Sequence, residues 1–267
     1  MKFQLKALAA ALALVAAVPA QAAVDFADSG NGSMFLTLVD TVSSVSAAFD
    51  LGKNYSDFNM VAAAGTVSNV TALGTSFSWD LAGNADYATA WSQFFAASAS
   101  DANVKYAITA GDNLGSGAGS RGYITTNAGA SGATTGTQLL TALANFDTYT
   151  GNLGFVPVTN TLTVANGSAF QAPATTFYTA ARNNGTGPLV MGALGATLGV
   201  IQSVNGTANL ASVSNTIFGN GASFNLASNG ALLYSTTPLA PIPEADTWAM
   251  MLLGLGFMGF VARRKQA

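Results

Sequence analysis

Asparagine followed by glycine occurs six times in this chain, at residues 31, 166, 184, 205, 220 and 229. Both residue types accept the positive backbone φ angles that two-residue β-hairpin turns require. The pattern therefore predicts antiparallel strands joined by tight turns. Because the chain contains no cysteine, the stability of such a fold must come from burial and backbone pairing, without disulfides.

Two hairpins are predicted with both of their strands. Ser33–Asp40 and Val45–Leu51 are rich in β-prone residues, and the four residues between them indicate an antiparallel pair. Near the end of the domain, Ser223–Ala227 and Ala231–Ser235 flank an Asn-Gly turn at residues 229 and 230. We expect this second hairpin to close the domain.

Three further segments carry strand patterns. Apolar and polar residues alternate over Phe77–Leu81 and over Val104–Thr109, and Arg121–Thr126 could pair with the second of these segments. The apolar run Leu189–Ile201, interrupted by glycines, could form a short buried pair of strands. It is too short for a second membrane helix.

Two helices interrupt the strand pattern. The first is predicted over Asp86–Ser98 with Asp86 as its N-cap, and the second over Thr137–Tyr149. Their expected buried stripes are Tyr87, Trp91, Phe94 and Phe95 in the first helix, and Leu139, Leu140, Leu143 and Phe146 in the second. The predicted fold class is therefore mainly β: an antiparallel β-sandwich or jelly-roll-like domain over residues 23–235, with one or two short helices.

The N-terminus has the three parts of a secretory signal peptide. Lys2 and Lys6 provide a positive region, Ala7–Val18 an apolar region, and Ala20 and Ala22 the small residues of a signal peptidase cleavage site. Residues 1–22 are therefore predicted to form a signal helix that enters the Sec translocon and is removed. An uncleaved N-terminal anchor is the alternative.

The C-terminus combines a short motif, an apolar segment and a basic cluster. Pro243-Glu244-Ala245 precedes the apolar run 248–262, and the basic residues Arg263, Arg264 and Lys265 follow it. Fifteen helical residues span about 22 Å, less than the roughly 30 Å of a hydrocarbon core. A short transmembrane helix of this kind suits temporary anchoring, with its positive end in the cytoplasm. A permanent single-pass anchor remains the alternative.

At these residues the chain resembles the PEP-CTERM sorting domain of exported proteins from Gram-negative bacteria. The resemblance covers Ile242–Lys265 and follows a proline-containing linker at residues 236–242. The third motif position is usually proline in that family and is Ala245 here. The resemblance implies recognition of the motif and the basic cluster by an exosortase, a membrane cysteine protease or transpeptidase of bacteria that make extracellular polysaccharide.

Charge and residue usage exclude several function classes. Residues 23–242 contain four basic residues and ten aspartates, which gives a net charge of −6 and no basic surface for binding nucleic acid. The chain has no histidine, so it cannot form a Ser-His-Asp triad, an imidazole base or a conventional zinc site. We therefore expect no enzymatic activity and no cofactor.

Two candidate sites remain within the domain. Asp80 and Asp86 could form a pair of acid-base carboxylates, or bind calcium together with Asn84, although turn formation and helix capping explain the same residues. Trp79 and Trp91, with Tyr87 and Tyr106, could form a platform on which sugars stack, although aromatic residues at this spacing usually belong to a core.

The sequence thus predicts an exported protein that passes through an inner-membrane intermediate and then resides at the cell surface or in the extracellular matrix of a biofilm or floc. The main alternative is a carbohydrate-binding module for the producer's own exopolysaccharide. An aspartate-dependent hydrolase is the third hypothesis.

Overall fold

The computed structural model describes residues 24–61, 66–127, 132–133, 135–152, 167–171, 191–207 and 211–236. The strands are β1 Ser33–Asp40, β2 Val45–Asn54, β3 Ser76–Asp80, β4 Val104–Asp112, β5 Gly122–Asn127, β6 Ser168–Gln171, β7 Gly192–Ala193, β8 Thr197–Asn205, β9 Val213–Ile217, β10 Ser223–Leu226 and β11 Ala231–Ser235. The helices are α1 Ala88–Ala97 and α2 Gly136–Asn152, with 3₁₀ turns at Tyr55–Phe58 and Asp101–Asn103.

All of these strands belong to one antiparallel sheet. Its order is β3-β11-β10-β8-β5-β4-β1-β2-β6, with β7 paired to β4 and β9 paired to β8. The mainly-β class, the antiparallel pairing and the two helices are confirmed. The described strands form one continuous curled sheet, and the finer expectation of a β-sandwich or jelly-roll-like arrangement stays a prediction.

A hydrogen bond between distant strands shows the curl. The indole N–H of Trp79 on β3 donates to the backbone oxygen of Leu51 on β2, over 2.9 Å. These strands lie near opposite ends of the strand order. α1 packs on β2 and β6, and the hydroxyl of Tyr87 donates to the backbone oxygen of Asp50 on β2 over 2.6 Å. α1 therefore covers the end of the sheet formed by β2 and β6.

The concave face of the sheet encloses an apolar core. Its members on the sheet include Leu36, Leu38, Ala47, Phe49, Tyr106, Ile108, Val200, Phe224, Leu226, Leu232 and Tyr234. The loop after β2, residues 55–61, also enters this core through Tyr55 and Phe58. We refer to residues 55–61 as the core loop.

Buried polar side chains hold the core loop in place. Gln202 on β8 donates from Nε2 to the hydroxyl of Tyr55 and, over 2.8 Å, to Oδ1 of Asn59. Its Oε1 accepts the backbone N–H of Met60 over 2.7 Å. Gln202 and Asn59 are both 0% exposed. Since unpaired buried polar groups are costly, these bonds fix where the loop enters the core.

The convex face of the sheet is covered by α2. Thr135 and Gln138 form a capping box at its start, each side chain accepting the other's backbone N–H over 3.2 to 3.3 Å. The buried contacts of the helix with the sheet involve Leu139, Ala142, Leu143, Phe146 and Tyr149 on α2, and Phe35, Val39 and Tyr123 on β1 and β5. Three of the four residues predicted as its stripe are therefore buried, and Leu140 is half-buried.

The start of α1 differs from the prediction. The N-cap position is Tyr87, without a side-chain cap, so Asp86 is not the N-cap. The backbone N–H of Asp86 instead donates to Oδ1 of Asn84 over 2.8 Å, and the N–H of Ala88 reaches the backbone oxygen of Asn84. A turn centred on Asn84 therefore precedes the helix.

The two predicted hairpins are confirmed. Asp40 pairs with Val45, and β2 continues three residues beyond the predicted end. Leu226 pairs with Leu232 across a turn in which Gly230 has a φ of +90°. The apolar run Leu189–Ile201 was predicted to form a buried pair of strands. β7 and the start of β8 do lie in this run, but β7 pairs with β4 and β8 pairs with β5, so β7 and β8 do not pair with each other. β6 and β9 have no counterpart among the predicted strands.

The pairing also fixes the direction in which the domain ends. Neighbouring strands from β1 through β4, β5, β8 and β10 to β11 all run antiparallel, so β11 runs opposite to β1. The chain therefore leaves β11 toward the end of the sheet from which it enters β1. We call the loops at the other end, residues 101–103, 194–196 and 227–230, the distal loops.

Candidate functional site

β11 is the last strand before the C-terminal tail, and it lies in the interior of the sheet. It pairs with β10 along one edge and with β3 along the other. Its Leu232 and Tyr234 side chains are buried, and the Tyr234 hydroxyl donates to the backbone oxygen of Val70 over 3.0 Å. The tail is therefore joined to a strand that is hydrogen-bonded on both sides.

Thr236 secures the point at which this strand ends. Its backbone N–H donates to the oxygen of Thr75 over 3.1 Å. Its hydroxyl accepts the N–H of Thr75 over 3.1 Å and donates to the oxygen of Ala72 over 2.9 Å. We call these contacts the Thr236 clamp. The chain divides into two compact units, Met1–Thr237 and Pro238–Ala267, so the clamp lies next to the boundary.

Replacing Thr236 by valine should lower the free energy of unfolding by roughly 1 to 2 kcal/mol, because it removes the buried hydroxyl contacts and keeps the backbone bond. Chemical denaturation of the exported protein would measure the change. Thr41→Val is the matched control, since Thr41 lies in an exposed turn. Equal denaturation midpoints for the two variants would contradict a stabilising role for the clamp.

The aromatic residues considered for sugar stacking belong to the core. Trp91 is 8% exposed, and its ring contacts Phe49 and Phe95 with centroid separations of 6.3 and 4.4 Å. Trp79 is half-buried with its indole N–H bonded to β2, and Tyr87 and Tyr106 are 3% and 0% exposed. These four residues therefore do not form an exposed platform.

The polar atoms of the Asp80 region serve local turns. Oδ1 of Asp80 accepts the backbone N–H of Gly83 over 2.8 Å, and Oδ1 of Asn84 accepts that of Asp86. Within the described residues, no group of three or more acidic, histidine or cysteine side chains could hold a metal ion. The arrangement accounts for these residues as turn formers.

β2 carries a buried carboxyl group that was not among the predicted site residues. Asp50 is 3% exposed, and its Oδ1 accepts the backbone N–H of Gly52 over 2.9 Å. Burial raises the pKa of Asp50 to about 6, and the charge of Asp25 adds to the increase. The only sequence signal was a carboxylate inside the apolar strand Ala47–Leu51. Because so little of the Asp50 side chain is exposed, a substrate cannot reach its carboxyl group. The ionisation of Asp50 therefore affects the stability of the fold.

A shallow pocket of about 250 Å³ opens among the distal loops. It is lined by Asp101, Ala102, Leu194, Gly195 and Ser228. The backbone N–H of Gly195 donates to the oxygen of Leu226 over 2.8 Å, which ties two of the loops together. The pocket combines one carboxylate, one hydroxyl and apolar surface.

Comparison with known proteins identifies the tail. Residues 241–265 match the family model of the PEP-CTERM protein-sorting motif. No curated protein and no solved structure matches the chain. The resemblance found in the sequence is thereby confirmed over nearly the same residues, and the chain carries the sorting signal of an exosortase substrate.

This motif defines an exported protein that is sorted through its C-terminus by way of a membrane-anchored intermediate. The predicted recognition residues Pro243, Glu244, Ala245, Arg263, Arg264 and Lys265 lie outside the described residues, as do the predicted cleavage site at Ala20 and Ala22 and the predicted membrane segment. None of the helices in the described ranges is both long and apolar enough to cross a membrane.

Proposed function

We propose that this chain is a non-enzymatic protein of the bacterial cell surface or extracellular matrix, delivered by exosortase processing in a Gram-negative producer of exopolysaccharide. The observation that carries the proposal is the PEP-CTERM motif at residues 241–265, attached to a separate folded unit. The motif supplies the route of export, and the folded unit is the part that is delivered.

The make-up of the folded unit supports a structural role. Solubility rests on serine, threonine, asparagine and glycine, because only 8% of the chain is charged. Asp50 is buried, and Oδ1 of Asp80 and Oδ1 of Asn84 each accept a backbone N–H within a turn. These observations favour a surface or matrix component over a hydrolase.

The expected role of the tail follows from its order of parts. The apolar run at residues 248–262 holds the chain in the membrane, and the basic cluster at 263–265 keeps the last residues in the cytoplasm. That orientation presents Pro243 and Glu244 to an enzyme at the outer face of the membrane. Cleavage there would release the folded unit or transfer it to an acceptor.

Mass spectrometry of the protein recovered from the producing cells tests this route. We expect the C-terminal peptide to lack residues 248–265. A variant with Arg263, Arg264 and Lys265 changed to alanine should accumulate uncleaved, because the positive charges that orient the tail are gone. Gln266→Ala is the control, since it lies beside the cluster and leaves its charge intact. If the wild-type protein keeps residues 248–265, the tail is a permanent anchor.

A carbohydrate-binding module is the second candidate, and the pocket in the distal loops is the observation that favours it. β11 runs away from these loops, so the pocket lies at the end opposite to the one where the chain leaves the sheet. Co-sedimentation with the producer's own polysaccharide, comparing wild type with Asp101→Asn, tests the proposal. Equal binding by both proteins would show that the pocket is not the binding site. If the wild type does not bind, the chain is not a module for this polysaccharide.

A further inference from the structure

β9 is an outer strand that is paired along one edge only. It pairs with β8 over Val213–Ile217, and no other pairing involves it in the described part of the sheet. Ser214, Asn215 and Ile217 are exposed, with 68% of Ile217 accessible to solvent. The second edge of β9 is therefore unpaired among the described residues.

The hydrogen bonds at the two ends of β9 show which backbone groups are unpaired. Ser212 accepts the N–H of Gly206 through its backbone oxygen over 2.9 Å, and Phe218 donates its N–H to Val200 over 3.0 Å. Bonds toward one neighbour alternate along an antiparallel strand, so residues 214 and 216 bond toward β8. Residues 213, 215 and 217 consequently direct their N–H and C=O groups outward.

This edge lacks the features by which proteins usually block edge pairing. Charged side chains, proline and bulges are the common protections. The strand Val-Ser-Asn-Thr-Ile contains neither charge nor proline, and its pairing with β8 is regular. The outer strand β3 differs, because it ends in Asp80 and is tied to β2 through Trp79.

We infer that β9 is a self-association edge, at which two copies of this chain pair antiparallel about a two-fold axis through Asn215. In this register Asn215 faces the partner's Asn215, and Val213 faces the partner's Ile217. All three outward-facing residues then exchange both backbone bonds with the opposite copy, about six bonds in all. The two sheets become one continuous sheet.

The sequence of β9 favours a second copy over an unrelated partner. Its pattern reads the same in both directions, apolar at each end, hydroxyl at the next positions and amide at the centre. Antiparallel self-pairing thus places apolar residues opposite apolar residues. The chain is acidic overall, but no aspartate lies within β9, so like charges do not face each other at the paired edge.

Crosslinking through a single cysteine tests the register, since the natural chain has no cysteine. In the inferred dimer Ser214 lies diagonally across from the partner's Ser214, about 7 to 8 Å away. The Ser214→Cys protein should therefore form a covalent dimer with a short bismaleimide. Ser78→Cys is the matched control, because Ser78 is an exposed serine on the outer strand β3, and it should remain monomeric.

Sedimentation of the exported protein over a range of concentrations tests the association itself. Wild type should dimerise, and Ile217→Lys should raise the dimer dissociation constant at least about tenfold by placing a charge on the edge. Leu73 lies away from β9 in the chain and its side chain is 75% exposed, so Leu73→Lys should leave the dimer dissociation constant unchanged. The inference would be overturned if the wild type stays monomeric, if Ile217→Lys leaves the dimer dissociation constant unchanged, or if residues 78 and 214 crosslink equally.

Discussion

Replacing Phe58 by alanine should lower the free energy of unfolding by about 3 to 5 kcal/mol. Phe58 is 0% exposed, and its ring contacts Tyr234 at a centroid distance of 5.1 Å, Phe77 at 5.9 Å and Phe224 at 6.0 Å. It thus joins the core loop to three neighbouring strands. The neighbours belong to a sheet that cannot close in around the missing ring, so the substitution leaves a cavity.

Denaturant unfolding of the exported protein measures this loss, and its thermal midpoint should fall by roughly 10 °C. Leu73→Ala is the control, because a side chain that is 75% exposed should change stability by less than about 0.5 kcal/mol. A loss below about 1 kcal/mol for Phe58→Ala would mean that the core loop is not packed inside the curled sheet.

Replacing Asp50 by asparagine should raise the free energy of unfolding at pH 7 by up to about 3 kcal/mol. The pKa of Asp50 is raised by burial from 3.8 to about 6, so at neutral pH the folded protein bears the cost of a buried negative charge. Asparagine can still accept the N–H of Gly52. The substitution also removes the repulsion between the charges of Asp50 and Asp25.

The contribution of Asp50 to the free energy of unfolding changes with pH in a defined direction. The native state binds the Asp50 proton more tightly than the unfolded chain does, so this group stabilises the fold at low pH. That contribution is lost as the pH rises from about 4 to about 6. The Asp50→Asn protein should lack this decline. Asp80→Asn is the matched control, because Asp80 also accepts the N–H of a nearby glycine but is exposed.

Unfolding curves between pH 4 and pH 8 for wild type and both variants would provide the comparison. Parallel curves for wild type and Asp50→Asn would show that the carboxyl group is solvated in the folded protein. Burial also raises the pKa values of Asp112 and Asp147. At Asp40 burial is outweighed by hydrogen bonds from Ser43, Val42 and Ala99, which lower the pKa of Asp40 and act in the opposite direction. The difference between the wild-type and Asp50→Asn curves, in which these groups cancel, therefore reports on Asp50.

Local patterns in the sequence predicted the elements whose partners are near in the chain. The hairpin of β10 and β11 was predicted with both strands because its turn, its alternation and its pairing all lie between residues 223 and 235. The same holds for β1 and β2. The buried faces of α1 and α2 also followed from spacing, since a helix repeats its contacts every three to four residues.

Pairings between distant segments were not predictable. β7 lies beside β4 although β8 is its neighbour in the chain, and a Cβ atom at Gly192 would collide with the side chain of Leu198. β6 and β9 are short and partly polar, so their strand conformation depends on pairing with neighbouring strands and not on their own sequence pattern. The burial of Trp91 was predicted from its spacing in α1, but its packing partner Phe49 on β2 is a contact between distant segments that no local pattern encodes.

The sequence by itself determined the C-terminal signal through which this protein is exported and the kind of backbone it forms. The sorting motif and the turn-forming Asn-Gly pairs are local signals, and each acts through residues adjacent in the chain. The tertiary structure alone decided which carboxyl group is buried, how the sheet curls around the core loop and which strand edge is left open. Those features arise from contacts between distant segments, such as the bond between Gln202 and Tyr55, 147 residues apart, and their geometry is set only when the whole chain has packed.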